Sequence, residues 1–441
     1  MEKIEKFSQR RLYLRLLLSL GFLALLVFGI SSCNFPDIGS LLPVNNPTEI
    51  PPVEDTTPTP QPTSTPDIPL VTPRQLILWL PPQFDPGNET TAGDLFSSRL
   101  DEFVTRRPQT ELQVRIKTLS GEFGLLDSLQ LTEAAAPLLM PDIVALPRYL
   151  LESALQAGLV IPLDEYSNLI AENDWYEYAL NMALIDDQTA GIPFAGDLMV
   201  LAYKDDTGDP PPTNWNELLE VQRALAFPAS ETSGLVTLAW YQSLGGTFQG
   251  EDGELALDGE KMLEVLTLYQ QAQNANVMPY WLTQFESDEQ SWTSYLDRQS
   301  TLALTWSSRL LGSDSPNTSL AAIPTKDARA FAYGDGWVWC VVPSDQETEA
   351  FAIELVEFLS ESDFLRDWTY QAGYLPVRPT GLETWTEMPY YPMLEKLLPV
   401  AVLAPEEDAV GLAVRDAVVA VLKDQVDPET ALETLLVEVQ E

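Results

Sequence analysis

Gln75-Leu76-Ile77-Leu78-Trp79-Leu80 is a continuous apolar run closed by Pro81-Pro82, which reads as a buried strand with a loop at its carboxyl end. Beyond it, residues 93–106 carry Leu95, Phe96, Leu100, Phe103 and Val104 at helical spacing. Residues 112–116 (LQVRI) alternate as a strand, 125–136 read as a helix, 142–146 (DIVAL) as a buried strand and 149–156 as a short helix. Strand, helix, strand, helix, strand in this order indicates an α/β unit: a mostly parallel sheet flanked by helices. Ligands of such sheets sit beyond the carboxyl ends of the strands, at a switch point in strand order. Pro81-Pro82-Gln83 and Pro147-Arg148-Tyr149 therefore form one candidate rim.

A second unit follows Gly191-Ile192-Pro193. Residues 198–203 read as a strand, 214–223 as a helix with Thr213 as its N-cap, and 225–227 as a short strand. A helix over 235–244 ends at Gly245-Gly246, and 261–274 and 290–299 are further helices. Residues 301–306 (TLALTW) and 336–342 read as strands, 349–359 as a periodic helix and 407–437 as a helical pair. There is no internal repeat.

Composition removes whole classes of chemistry. The chain of 441 residues has no histidine, which excludes Ser-His-Asp and Cys-His catalysis, histidine general bases and His-ligated zinc. No metal site and no cofactor motif is expected: GxGxxG, GxxxxGK[ST] and calcium-loop spacings are missing. Sixty-six acidic residues against 24 basic ones give a net charge of −42, which repels phosphate backbones and argues against nucleic acid as a partner. The carboxylates, hydroxyls and aromatic rings that remain suit carbohydrate binding or carbohydrate cleavage.

The amino terminus reads as an export signal. Lys3, Lys6, Arg10, Arg11 and Arg15 precede an apolar run over 16–30 that is short of the roughly 20 residues a bilayer requires. Ile30-Ser31-Ser32-Cys33 at its end resembles a bacterial lipobox, which implies that residues 1–32 are a lipoprotein signal peptide and that Cys33 is acylated. Residues 33–73 are rich in Pro and Thr and read as a disordered tether in extended polyproline II. Without Cys33 the mature chain keeps a single cysteine, Cys340, expected buried in a strand, so no intramolecular disulfide can form.

The order of segments resembles family 1 extracellular solute-binding proteins, the receptors of ABC importers. The resemblance rests on Leu76-Ile77-Leu78-Trp79, Pro141-Asp142-Ile143-Val144 and Gly158-Leu159-Val160-Ile161-Pro162-Leu163-Asp164 in the first part. Gly191-Ile192-Pro193-Phe194-Ala195-Gly196-Asp197 with Leu201-Ala202-Tyr203-Lys204-Asp205 resembles the family's crossing between lobes, although Asn is usual where Lys204 stands. Pro211-Pro212-Thr213-Asn214-Trp215-Asn216-Glu217-Leu218 and Gly373-Tyr374-Leu375-Pro376-Val377-Arg378 complete the match. It implies a two-lobed periplasmic-binding-protein-like fold with a ligand cleft between lobes, 74–195 plus 332–378 forming the first lobe and 196–331 plus 379–441 the second. It further implies a monomeric, lipid-anchored extracytoplasmic receptor, touching the membrane through its lipid alone. Such a receptor closes on a mono- or oligosaccharide and delivers it to ABC permease subunits.

A sugar calls for polar groups at its hydroxyl edges and an aromatic ring against its apolar face. Asp197 in the first crossover is a candidate ligand carboxylate, with loop capping as the competing role. Trp306 with Arg309, at the end of TLALTW, is a candidate aromatic platform, with core packing competing. Of Trp337 and Trp339 only one is expected to face the cleft, and Trp337 is the candidate. Ser230 and Glu231, Tyr374, and Arg148 or its neighbour Tyr149 complete the set, whereas Asp142 is expected to be structural. A secreted glycoside hydrolase using a carboxylate pair is the competing function; it requires two carboxyl groups roughly 5–10 Å apart across a cleft.

Overall fold

The computed structural model describes residues 74–440 apart from 122, 222, 249–254, 313–314, 316 and 407, so the leader, Cys33 and the tether lie outside the described residues. The strands are β1 (Arg74–Leu80), β2 (Thr110–Ile116), β3 (Ile143–Pro147), a small hairpin of β4 (Leu184–Ile185) and β5 (Gln188–Thr189), β6 (Ile192–Lys204), β7 (Leu225–Ala226), β8 (Leu302–Trp306), β9 (Thr318–Ala321), β10 (Tyr333–Val341) and β11 (Val402–Leu403). β1 pairs in parallel with β2 from Arg74↔Thr110 to Leu80↔Ile116, and with β3 at Leu78↔Ile143 and Trp79↔Val144. Leu76, Leu78 and Leu80 on one face and Trp79 on the other are all buried, which is why this run is apolar throughout. The crossover helices are Thr91–Arg106 and Leu125–Ala135, the first capped by Thr90, whose Oγ1 accepts from Gly93 N at 3.1 Å. Asp142 Oδ2 accepts from Ile77 N at 2.7 Å, a structural role that ties the start of β3 to β1.

The main sheet runs β2-β1-β3-β10-β6-β8-β7, with β11 beside β10 and β9 beside β6. It is mixed, where the sequence suggested a mostly parallel one. β6 carries the chain out of the first lobe and β10 carries it back, so the two must run antiparallel. β10 is also antiparallel to β3, and β8 and β9 are antiparallel to β6, while β7–β8 is parallel. The strand expected over 198–203 extends over Ile192–Lys204. Its first half pairs with β10 and its second half with β8 and β9, so one strand belongs to both lobes.

Beyond the crossing, the pleat of β6 points successive residues to opposite faces. Met199 and Leu201 join a core built with Trp240, Leu266, Tyr269 and Val414, while Val200 and Ala202 join the cluster that holds Trp292 and Tyr295. The helix expected at 214–223 is Trp215–Glu220, and its cap is Asn214, which accepts from Glu217 N at 3.0 Å. Thr213 sits one residue outside, donating N–H and hydroxyl to Glu217 Oε2 at 2.8 Å each. Leu382, Trp385, Leu394, Leu397 and Leu398 pack into the continuous cluster that also holds Leu76, Phe103 and Trp292. The chain joins the other core at Val410. Cys340 is fully buried in β10.

Two glycines permit the crossing. Gly196 exchanges both backbone bonds with Leu375 at 2.8 Å on one edge and pairs with Gly336 of β10 on the other. A Cβ at Gly196 would stand 2.2 Å from the Tyr178 hydroxyl oxygen, and one at Gly334 would stand 2.3 Å from the ring of the same tyrosine. Gly196→Ala should therefore cost about 1–3 kcal/mol by overpacking. In a Tyr178→Phe background the cost should shrink, because the first obstacle is the phenol oxygen. Urea unfolding of the four proteins checks this, and strictly additive costs would contradict it.

Candidate functional site

At the crossing, β6, β10 and the end of β8 meet around a cavity of about 490 Å³. That lies within the roughly 300–1,000 Å³ usual for small-molecule sites. Gln83 and Leu119 come from the loops after β1 and β2, Pro147 and Tyr149 from the end of β3, and Ala372, Gly373 and Tyr374 from the late segment. The second lobe contributes Asp288, Trp306, Ser308, Arg309 and Gly312, and the crossing strands contribute Asp197, Asp335, Gly336 and Trp337. The loops beyond the carboxyl ends of β1, β2 and β3 thus open onto one space, as strand order requires. A depression of about 580 Å³ elsewhere is lined by residues of the second lobe alone, such as Tyr203, Pro211 and Arg223.

Asp197 is nearly buried, and β8 turning into the helix Ser308–Leu311 closes around it. Its Oδ1 accepts from Leu198 N at 2.9 Å, Ser307 Oγ at 2.5 Å and Ser308 N at 3.0 Å, and its Oδ2 accepts from the Ser308 hydroxyl. Loop capping and a place in the cavity wall are thus both properties of this carboxylate. Asp335 is its register partner on β10 and accepts from Gly336 N at 2.7 Å. Asp288 accepts from Thr305 Oγ1 at 2.6 Å and from Arg309 Nε at 2.7 Å, and Arg309 also reaches Glu289.

Three carboxyls are held well above their ordinary range. Burial pushes Asp197 up to about 6, against the pull of its serine and backbone donors. Burial pushes Asp335 up to about 7, with the charges of Asp197 and Glu406 adding to the push and Arg148 and the Gly336 N–H opposing it. Glu231 rises to about 7, again by burial first, with Asp288 adding and Ser233 opposing. Burial also raises the Tyr374 phenol, whose hydrogen bonds with Gln83 and Trp337 pull the other way.

The structure brings Asp197, Trp306, Arg309, Trp337 and Tyr374 to one cavity. Strand alternation does not separate Trp337 from Trp339, since residues two apart share a face. Position along the strand does: Trp339 lies one pleat further into the first lobe, stacked on Phe194 at 4.1 Å. Trp337 meets Phe84 edge-on at 4.9 Å. Arg148, Ser230 and Glu231 are not in this lining. Arg148 Nη1 donates to both Glu406 oxygens at 3.1 Å, and the neighbouring Tyr149 faces the space instead. The Ser230 hydroxyl donates to Thr283 O at 2.8 Å, and Glu231 stands in the turn ahead of the helix Leu235–Ser243. Asp288 and Asp335 escaped the sequence reading. Asp335 was visible only as an acid two residues before Trp337, and its pairing with Asp197 required the register.

Residues 109–390, more than half of the chain, match the family of bacterial extracellular solute-binding proteins, and the chain belongs to that family. A binding protein of Brucella abortus strain 2308 is 22% identical over 274 residues, which span 57% of this chain and 65% of that protein. The chain thus matches less than two thirds of that relative's length. Maltose-bound MalE3 of T. maritima superposes with a TM-score of 0.64 at 18% identity, covering 83% of this chain and 99% of that one. The cyclic alpha-maltosyl-1,6-maltose binding protein of Arthrobacter globiformis gives a TM-score of 0.68 at 18% identity, over 83% and 98% of the two chains. The maltose complex of MalE from Listeria monocytogenes gives 0.68 at 15% identity, over 83% and 97%. The chain thus shares the fold of these maltose- and maltosyl-binding proteins, two α/β lobes around a mixed sheet.

The raised carboxyls have a consequence for stability. A carboxyl whose folded value exceeds its ordinary 3.8 or 4.5 binds its proton more tightly in the folded state. Its contribution is full below about pH 4 and is lost as pH rises through 6–7. The ligand-free protein should melt at lower temperature at pH 8 than at pH 5, with a loss on the order of a few kcal/mol. Asp335→Asn should flatten that slope. An unchanged slope in the variant would remove Asp335 as a source.

Proposed function

We propose that this chain is a lipid-anchored, extracytoplasmic receptor that captures a carbohydrate-like solute by lobe closure and hands it to an ABC permease. The observation that carries the reading is the cavity at the β6–β10 crossing, where residues from both lobes present rings and polar groups together. In this reading Trp306, Trp337 and Tyr374 supply faces for a sugar ring, and Asp197 and Arg309 take hydroxyl edges. Ser230, Glu231 and Arg148 lie outside the present lining and would contribute once the lobes move together. No bond is made or broken, and closure itself is the output. The maltose-bound and maltosyl-binding proteins of the same fold support a saccharide as the first class to test.

A thermal-shift panel of mono- and oligosaccharides tests the reading. A tight ligand at a hundred times its dissociation constant adds about 2.7 kcal/mol of stability. Stabilisation without turnover is expected, and turnover of an oligosaccharide would replace the receptor with a hydrolase. Trp306→Ala should weaken saccharide binding about tenfold, or about 1.4 kcal/mol, and should also lower the ligand-free melting temperature, because the half-buried ring packs against the second-lobe core. Isothermal titration reads the first effect and calorimetric melting the second.

The lipobox-like Ile30-Ser31-Ser32-Cys33 supports anchoring through Cys33. Metabolic labelling with palmitate should mark the wild-type chain and fail to mark Cys33→Ala. Equal labelling of both would reject this site.

A further inference from the structure

The charges of the cleft do not balance. Arg309 is the sole basic residue among the described residues that line it, and it is engaged by Asp288 and Glu289. Asp197 is held by neutral donors alone, and Asp335 by the N–H of its neighbour. Arg148, the cation whose field reaches Asp335, forms its ion pair with Glu406. Among the described residues neither Asp197 nor Asp335 forms a salt bridge.

The two carboxylates are direct register partners on antiparallel β6 and β10, and both line the cavity. Such partners leave the sheet on the same face with Cβ atoms about 4.5–5.5 Å apart. Two like charges that close, drawn out of water, are unfavourable until a proton or a counter-cation lies between them. The rings of Tyr149, Trp306, Trp337 and Tyr374 line the same space. Carboxylates beside aromatic faces are the chemistry that holds an ammonium group, through charge-assisted hydrogen bonds and cation–π attraction. A bare divalent ion fits less well. Among the described residues no three His, Cys, Asp or Glu side chains converge as a metal site, whereas calcium takes about six to eight oxygens.

Building on the receptor reading above, we propose that the solute carries a protonated amine, which sits between Asp197 and Asp335 while its ring lies against the aromatic wall. The substrate class is then an amino sugar, or a saccharide bearing a basic nitrogen, in place of a neutral sugar.

The test is isothermal titration of the purified full chain with four probes at low ionic strength: the β-1,4-linked glucosamine disaccharide, its di-N-acetyl form, maltose, and 1,4-diaminobutane. The free amino disaccharide should bind at least about tenfold more tightly than the acetylated form and maltose, equivalent to about 1.4 kcal/mol. Asp335→Asn should abolish that preference. Acetylated or neutral saccharides binding as well as the amine would overturn the amine proposal and leave the carbohydrate receptor standing. Binding of the diamine but of no saccharide would overturn the carbohydrate reading and support the carboxylate pair as an amine site. Binding of none of the four overturns both. Should Asp335→Asn fail to fold, the comparison of amine with acetamide on the wild-type chain decides alone.

Discussion

The antiparallel contact between β6 and β10, from Gly334↔Leu198 to Trp339↔Ile192, is the constraint on which the other features hang. It joins the sheets of the two lobes into one path and fixes which residues face the cavity. The register places Asp197 opposite Asp335, and Trp337 beside Ala195 at a bulge that shifts the pairing by one residue. Glycine is required on both strands because Tyr178, from the helix Glu177–Ala183, fills the space that side chains there would occupy. The bonds between Gly196 and Leu375 then bring Tyr374 alongside, so the late segment joins the site through the backbone of β6.

The first lobe was legible in the sequence because its signals are local. β1 and β3 are short apolar runs, and Leu95, Phe96, Leu100 and Phe103 repeat at helical spacing, so no distant contact is needed to read them. The crossing was legible only in outline. That Ile192–Lys204 is a single strand, and that its partners run against it, depends on residues about a hundred or more positions away. The same limit explains the site. Asp197, Trp306, Trp337 and Tyr374 stand at strand ends or in recognisable segments, whereas Asp335 acquires its meaning from Asp197 and Asp288 from Thr305 and Arg309. Ser230 follows the short strand β7, where a rim residue is expected, but its hydroxyl donates to the carbonyl of Thr283.

Acidity has two forms in this molecule. Among the described residues most acidic side chains are solvated, and where they meet a cation at the surface the gain is small, as for Arg366 with Asp363 and Asp367. Asp197, Asp335 and Glu231 differ because burial, not density of charge, sets their behaviour. The excess of negative charge on the exterior keeps the molecule soluble and discourages anionic partners, whereas the enclosed carboxyls cost the empty protein stability that a suitable occupant would return.

The ring of Tyr178 lies behind the two crossing strands, against Gly196 and Gly334, while Asp197, Asp335 and Trp337 project from their opposite face. The crossing strands are held on both outer edges, β10 by β3 and β11 and β6 by β8 and β9. Bending the sheet away from the carboxylates presses the backbone of Gly196 and Gly334 onto the Tyr178 ring, whereas bending toward them meets the cavity. The ring thus makes the two directions of bending unequal.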